Sequence, residues 1–206
     1  MKTMRYLLFV FLSLSIFQLV SCNKTDNSTN PPDQQDKFSF VKVGNLWTYS
    51  TSYQGTTYPD MTYKVLSSFG NNVYKVQQTY PLPNQTGSTV QYIFWYCTES
   101  EYASVTDSTG HQKMMVFNNN IKLNQEYSYI NHGDTGLPEG DTVYYKLLSE
   151  TENVTVPAGT FTCAKMSLYF TPYRNRPITY IYSSKSAGTI KIENDFSKFE
   201  LKSKNF

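Results

Sequence analysis

Val154-Thr155-Val156-Pro157-Ala158-Gly159-Thr160-Phe161-Thr162-Cys163-Ala164-Lys165-Met166 is the stretch whose reading decides the fold. Proline fixes its own φ near about −65° and holds the residue before it extended, so Val156 must end a strand and not a helix. Gly159 can take the positive φ that a tight reversal requires. The flanking Val154, Thr155, Val156, Thr160, Phe161 and Thr162 are all β-branched or aromatic, the composition of a pleated surface. The stretch therefore reads as two antiparallel strands pinned in register by a rigid corner. A slip of one residue would exchange the two faces of everything downstream.

Outward from this corner the same grammar repeats. Val143, Tyr145 and Leu147 mark one face of the preceding strand, and Thr189–Ile192 and Phe196–Leu201 follow later. Upstream, Trp47, Tyr49 and Tyr53 share one face after the Gly44-Asn45 turn. Met61, Tyr63 and Val65 form the next face, and Tyr74, Val76 and Tyr80 alternate with Lys75, Gln77 and Thr79. Short runs broken by Gly, Asn and Pro predict an all-β domain, and no window has helical periodicity. Thr89–Thr98 carries Val90, Tyr92, Phe94 and Tyr96 on one face and Ile93, Trp95 and Cys97 on the other, which predicts a strand covered on both sides. The expected architecture is a strongly curved antiparallel sheet or half-barrel of about ten strands, with a two-sheet β-sandwich as the alternative.

Three short islands resemble families of bacterial envelope lipoproteins to which no activity is assigned. Pro157-Ala158-Gly159-Thr160-Phe161-Thr162-Cys163 is similar to their "PAGTF" turn and strand, Ala187-Gly188-Thr189-Ile190-Lys191 to a following strand, and Val43-Gly44-Asn45-Leu46-Trp47-Thr48-Tyr49 to their opening. The resemblance implies a curved antiparallel sheet like the half-barrels of lipoprotein carriers and sensors.

Residues 1–21 read as a signal peptide: Lys2 and Arg5 precede an apolar run from Tyr6 to Val20, too short for a spanning helix. Leu19-Val20-Ser21-Cys22 resembles a lipobox, which implies that Cys22 is acylated and becomes the mature N-terminus, anchored in a bacterial outer membrane. Residues 22–36 form a polar tether that buries too little to offset its ordering entropy. Residues 37–206 are then expected to be a single β domain. Loss of the leader takes two of the 18 basic side chains and none of the 16 acidic ones, so the mature charge is zero. That balance offers nothing to a nucleic-acid backbone.

Catalytic grammar is sparse. Asp134-Thr135-Gly136 spells an aspartic-protease triplet, but no second copy supplies the paired carboxylate, and a polar turn is the expected reading. His111 and His132 are the only histidines and have no metal-ligand spacing, and Asp134, Glu139 and Asp141 lack the alternation of a calcium loop. No cofactor, metal or enzymatic activity is expected. Asp107-Ser108-Thr109 and Asp141-Thr142-Val143 resemble short acceptors for O-linked glycans. Cys97 and Cys163, in an exported protein, are either a disulfide or two buried thiols behaving as small hydrophobes.

The aromatic content is the remaining signal, with 18 Tyr, 13 Phe and 2 Trp. Tyrosine presents a flat apolar body with a polar tip, suited to acyl chains, sugars or a protein partner. Tyr92, Tyr96, Tyr144, Tyr169, Tyr180 and Tyr182 would line a concave ligand face if their strands are neighbours, or else form ordinary cross-strand pairs. The expected function is a noncatalytic binding or assembly module for a small apolar or glycan ligand. The alternative is a structural subunit docking a protein partner through edge strands or an aromatic patch.

Overall fold

The structure, a computed structural model, describes residues 37–81, 87–110, 112–131, 140–171 and 179–206. All lie within one compact unit, Pro32–Phe206. The expected signal peptide, Cys22 and tether fall outside the described residues, as do His111, His132, Asp134-Thr135-Gly136 and Glu139.

The strands are β1 (Leu46–Tyr53), β2 (Thr56–Ser68), β3 (Val73–Pro81), β4 (Ser88–Cys97), β5 (Glu101–Val105) and β6 (Lys113–Asn118). They continue as β7 (Glu126–Ile130), β8 (Thr142–Val156), β9 (Gly159–Phe170), β10 (Thr179–Ser184), β11 (Gly188–Glu193) and β12 (Ser197–Lys204). No helix occurs among the described residues. The expected all-β curved sheet is observed, with twelve strands where the sequence suggested about ten. Each strand pairs with its sequence neighbour, except that β6 and β7 do not, and β1 pairs with β12. The sheet therefore curls past a half-barrel into a nearly closed barrel with a seam between β6 and β7. No second sheet forms among the described residues, so the sandwich alternative is not realised.

The Pro-Ala-Gly corner behaves as its chemistry dictates. Val156 pairs with Gly159, whose φ is +129°, leaving Pro157 and Ala158 as the connection. Val154 and Val156 are buried, while the hydroxyls of Thr155 and Thr160 meet at 3.0 Å on the exposed side. Bulges between Leu147 and Ser149 and between Ser149 and Glu152 interrupt the β8–β9 ladder. Bulges bend the strand that carries them, and the hairpin tip reaches β12, where the Ala158 amide donates to the Leu201 carbonyl at 3.0 Å.

One end of the barrel is sealed by the segment that leads into β1. The Phe38 amide donates to Glu99 in the β4–β5 turn at 2.9 Å, and the Ser39 amide to Lys185 in the β10–β11 turn at 3.1 Å. The segment is thus strung between turns of that end. Phe38 packs edge-on against Phe117 at 5.2 Å and Phe40 against Tyr102 at 5.0 Å. Gly188 admits the Phe40 ring, since a Cβ there would lie 2.9 Å from it, and its φ is +80°. Phe38, Phe40, Val41 and Trp47 are all buried in one core with Val154, Met166, Ile190 and Leu201.

The loop between β5 and β6 folds back over the outer surface. A Cβ on Gly110 would lie 2.7 Å from Val73, and Asn71 donates to the Thr109 carbonyl at 3.2 Å. This corrects one expectation for Thr89–Thr98: its inner face is covered, whereas its outer face is open at Val90 and Tyr92, both exposed. Asp107 accepts from the Thr109 amide at 2.8 Å, so this glycan-acceptor-like triplet is an Asx turn.

Candidate functional site

Because successive side chains on a strand point to opposite faces, the pairing register divides the aromatics into two populations. On β1 the inward set is Trp47, Tyr49 and Thr51, and on β2 it includes Met61 and Tyr63. Tyr63 stands opposite Gln78, which stands opposite Gln91, and Val76 stands opposite Ile93. Trp95 follows two residues on. Tyr102 on β5 faces inward opposite Cys97, and Ile181 and Ile192 do so on β10 and β11.

These side chains surround a cavity of about 1200 Å³. That exceeds the ~300–1,000 Å³ usual for small-molecule sites. Its deep wall is aromatic, formed by Phe40, Trp47, Tyr49, Tyr63, Trp95 and Tyr102. Aliphatic and thioether groups, including Met61, Met114, Ile93, Leu168 and Ile192, fill in the sides, and the wall runs up to Tyr53, which is half exposed. Among the described residues, none that lines it is charged.

The deep wall is a network of ring contacts. Trp95 lies edge-on to Trp47 at 5.5 Å and to Tyr102 at 5.7 Å, and tilted against Tyr63 at 5.6 Å. Tyr63 in turn meets Tyr49 edge-on at 5.7 Å. Such pairs add about 0.5–1.5 kcal/mol each beyond the area they bury. Their polar atoms are partly committed: Trp47 Nε1 donates to the Ala187 carbonyl at 2.8 Å, and the Tyr49 hydroxyl to the Thr189 carbonyl at 2.8 Å. Gln78 Nε2 donates to the Tyr63 hydroxyl at 3.0 Å, and Gln91 Nε2 donates to Gln78 Oε1. Burial pushes the Tyr63 hydroxyl up to about 12, with the Gln78 hydrogen bond opposing. Burial and then neighbouring tyrosines hold Tyr49 and Tyr102 well above the usual phenol range.

Of the six tyrosines expected to line a ligand face, five stand away from the cavity. Tyr144 pairs with Tyr169, its ring stacked at 6.0 Å, on the face opposite the inward Tyr145 and Leu168. Tyr180 and Tyr182 likewise flank inward Ile181, and Lys165 Nζ lies 5.1 Å from each ring. Tyr96 sits under Lys113 Nζ at 3.7 Å, and Tyr92 under Lys75 Nζ at 4.2 Å. Tyr92 alone of the six borders the cavity, and it is 54% exposed. The correction has a simple cause: all six stand on the outer face, where they make the cross-strand and cation–π contacts given as the alternative.

Cys97 and Cys163 are free and buried, the second of the two readings offered for them, and not a disulfide. Burial pushes both thiols up to about 12, which keeps them in the unreactive protonated form. No group of three or more His, Cys, Asp or Glu side chains able to hold a metal ion occurs among the described residues.

Fold and site together define a meander β-barrel with an uncharged, aromatic-walled interior. No protein-family model matches the chain, and no curated protein matches it. Among solved structures, it is similar to a Bacteroides fragilis protein described as exported and YmcC-like in fold. The likeness covers 83% of this chain and 100% of that one at 14% identity, with a TM-score of 0.48, and supports no further argument.

Proposed function

We propose that this chain is an exported envelope lipoprotein, tethered through Cys22 to a bacterial outer membrane, whose barrel interior holds an apolar ligand without converting it. The cavity of about 1200 Å³, with no charged lining residue among those described, carries the reading. A space that size, walled by rings and thioethers, gains most from removing apolar surface from water, at about 25 cal/mol per Å². General acid–base chemistry needs titratable groups poised near neutrality, and burial holds the phenols of Tyr49, Tyr63 and Tyr102 far above it. The tether is supported by the lipobox-like Leu19–Cys22 and its apolar leader.

Two measurements test this. N-phenyl-1-naphthylamine, an apolar dye, should bind the purified chain with enhanced emission, and Ile192→Trp, which fills the cavity from its wall, should abolish the enhancement while the chain stays folded. Labelled palmitate should be incorporated in cells and lost in Cys22→Ala. An absence of dye binding would remove the ligand from the proposal, and unlabelled chain the lipid anchor.

A second reading has its own observation. β6 and β7 are consecutive in sequence yet unpaired with one another, so each presents a sheet edge at the seam. Open edges accept an added strand, which suits a docking subunit. A disulfide engineered across the seam that blocks partner capture but not dye binding would favour this role.

A further inference from the structure

The deep wall of the cavity has an imbalance of hydrogen-bonding groups that the fold leaves unresolved. Trp47 and Trp95 touch one another, and the barrel itself satisfies only the first: Trp47 Nε1 has the Ala187 carbonyl. Trp95 is 8% exposed, and its Nε1 has no hydrogen-bond partner among the described residues. The Tyr102 hydroxyl also lacks one among them. Every fully covered side-chain nitrogen or oxygen among the described residues does have a partner. The open atoms of Trp95 and Tyr102 must therefore face the cavity they line. The Tyr63 hydroxyl accepts from Gln78, so its own proton remains to be given.

An indole N–H can only donate, and the Tyr63 and Tyr102 hydroxyls each have a proton to give, the Tyr63 oxygen already accepting from Gln78. Three adjoining rings thus offer donors into an otherwise apolar space. What is missing is an acceptor. Buried polar groups are ordinarily satisfied, and leaving one without a partner is costly. A carboxylate would supply acceptors but would bring an unpaired charge into a wall with no cation among the described residues, an expensive burial. A quaternary ammonium would meet the ring faces yet leave all three donors unused.

We propose that the closed end of the cavity is a subsite for the uncharged carbonyl of an acyl ester or amide, received by Trp95 Nε1 and the Tyr102 and Tyr63 hydroxyls, while the acyl chain occupies the rest of the barrel. This rests on the reading of the interior as a ligand site. The ester's two oxygens carry enough lone pairs for all three donors, which neither an alkane nor an ammonium head does.

The chain supplies its own probe, because both of its tryptophans line the cavity. Delipidated full chain is titrated with methyl decanoate, decanoate at a pH where it is ionised, decyltrimethylammonium, and N-phenyl-1-naphthylamine. Intrinsic tryptophan emission reads the first three and dye emission the fourth. The ester should bind at least about tenfold more tightly than either ion. Trp95→Phe keeps the ring and removes the N–H, with Trp47 left to report. It should weaken the ester about tenfold and leave the dye unchanged, and Tyr102→Phe should act in the same direction. Equal affinity for the acid or the ammonium overturns the proposal. So does a Trp95→Phe chain that loses ester and dye alike, since the indole would then be structural. If no compound, the dye included, alters either emission, the failure belongs to the cavity itself and not to its polar end.

Discussion

The two faces of one sheet use the same amino acid for different ends. Inside, Tyr49, Tyr63 and Tyr102 build a deep wall in which ring meets ring, and hydroxyls are either spent on the barrel or turned toward the cavity. Outside, Tyr92, Tyr96, Tyr180 and Tyr182 lie beneath lysine ammonium groups, and Tyr144 stacks on Tyr169. The inner set is desolvated and surrounded by other rings; most of the outer set keeps contact with water. A tyrosine's role here is decided by which way its strand faces, a property of register and not of the residue.

That contrast can be broken most forcefully at the inner wall. Phe40→Ala removes the ring that seals the closed end and should cost about 3–5 kcal/mol, read by urea unfolding. Gly188→Ala attacks the same contact from the other side, adding a Cβ 2.9 Å from that ring at a φ of +80°. It should cost more than about 2 kcal/mol in the same assay.

The next effect is alkaline. Tyr63, Cys97 and Cys163 all have folded-state values raised to about 12, against usual values of 10.0 for the phenol and 9.0 for the thiols. A raised value means that the native state favours the neutral form. The associated stability is complete below the unfolded value and is lost as pH climbs toward the folded one. The urea midpoint should therefore hold steady up to pH 9 and fall progressively between 9 and 12. The thiols sharpen this further: Ellman's reagent should label neither Cys97 nor Cys163 in the native chain and both after unfolding.

The smallest effect belongs outside. Tyr180→Ala should cost less than about 1 kcal/mol and leave dye binding and the alkaline transition where they were.

The alternation within each strand was legible. Val143, Tyr145 and Leu147 share a buried face as expected, and so do Trp47 and Tyr49. The Pro157 corner and the strand-rich character followed from local chemistry alone. Which face of β4 is inside did not, because Tyr92, Phe94 and Tyr96 are as apolar as Ile93, Trp95 and Cys97. The signal lay one strand away: β3 puts Lys75, Gln77 and Thr79 outward, and pairing sets Gln77 against Tyr92. That transfer needs a register that no short-range pattern supplies. Gln78, the polar member of the inner wall, was missed because a lone glutamine between strand residues has no motif to announce it.

The pairing of β1 with β12 carries a cost in time. Leu46 and Asn205, hydrogen-bonded at 2.8 Å, stand 159 positions apart, and Trp47 rests on Phe206. Contacts so distant along a chain slow its folding, because a long loop must close before they give anything back. During synthesis the earliest strand must wait, one flank bare, until the last one has been made. Throughout that wait the nascent polypeptide is a target for misassociation, and a holding chaperone would have its greatest value then.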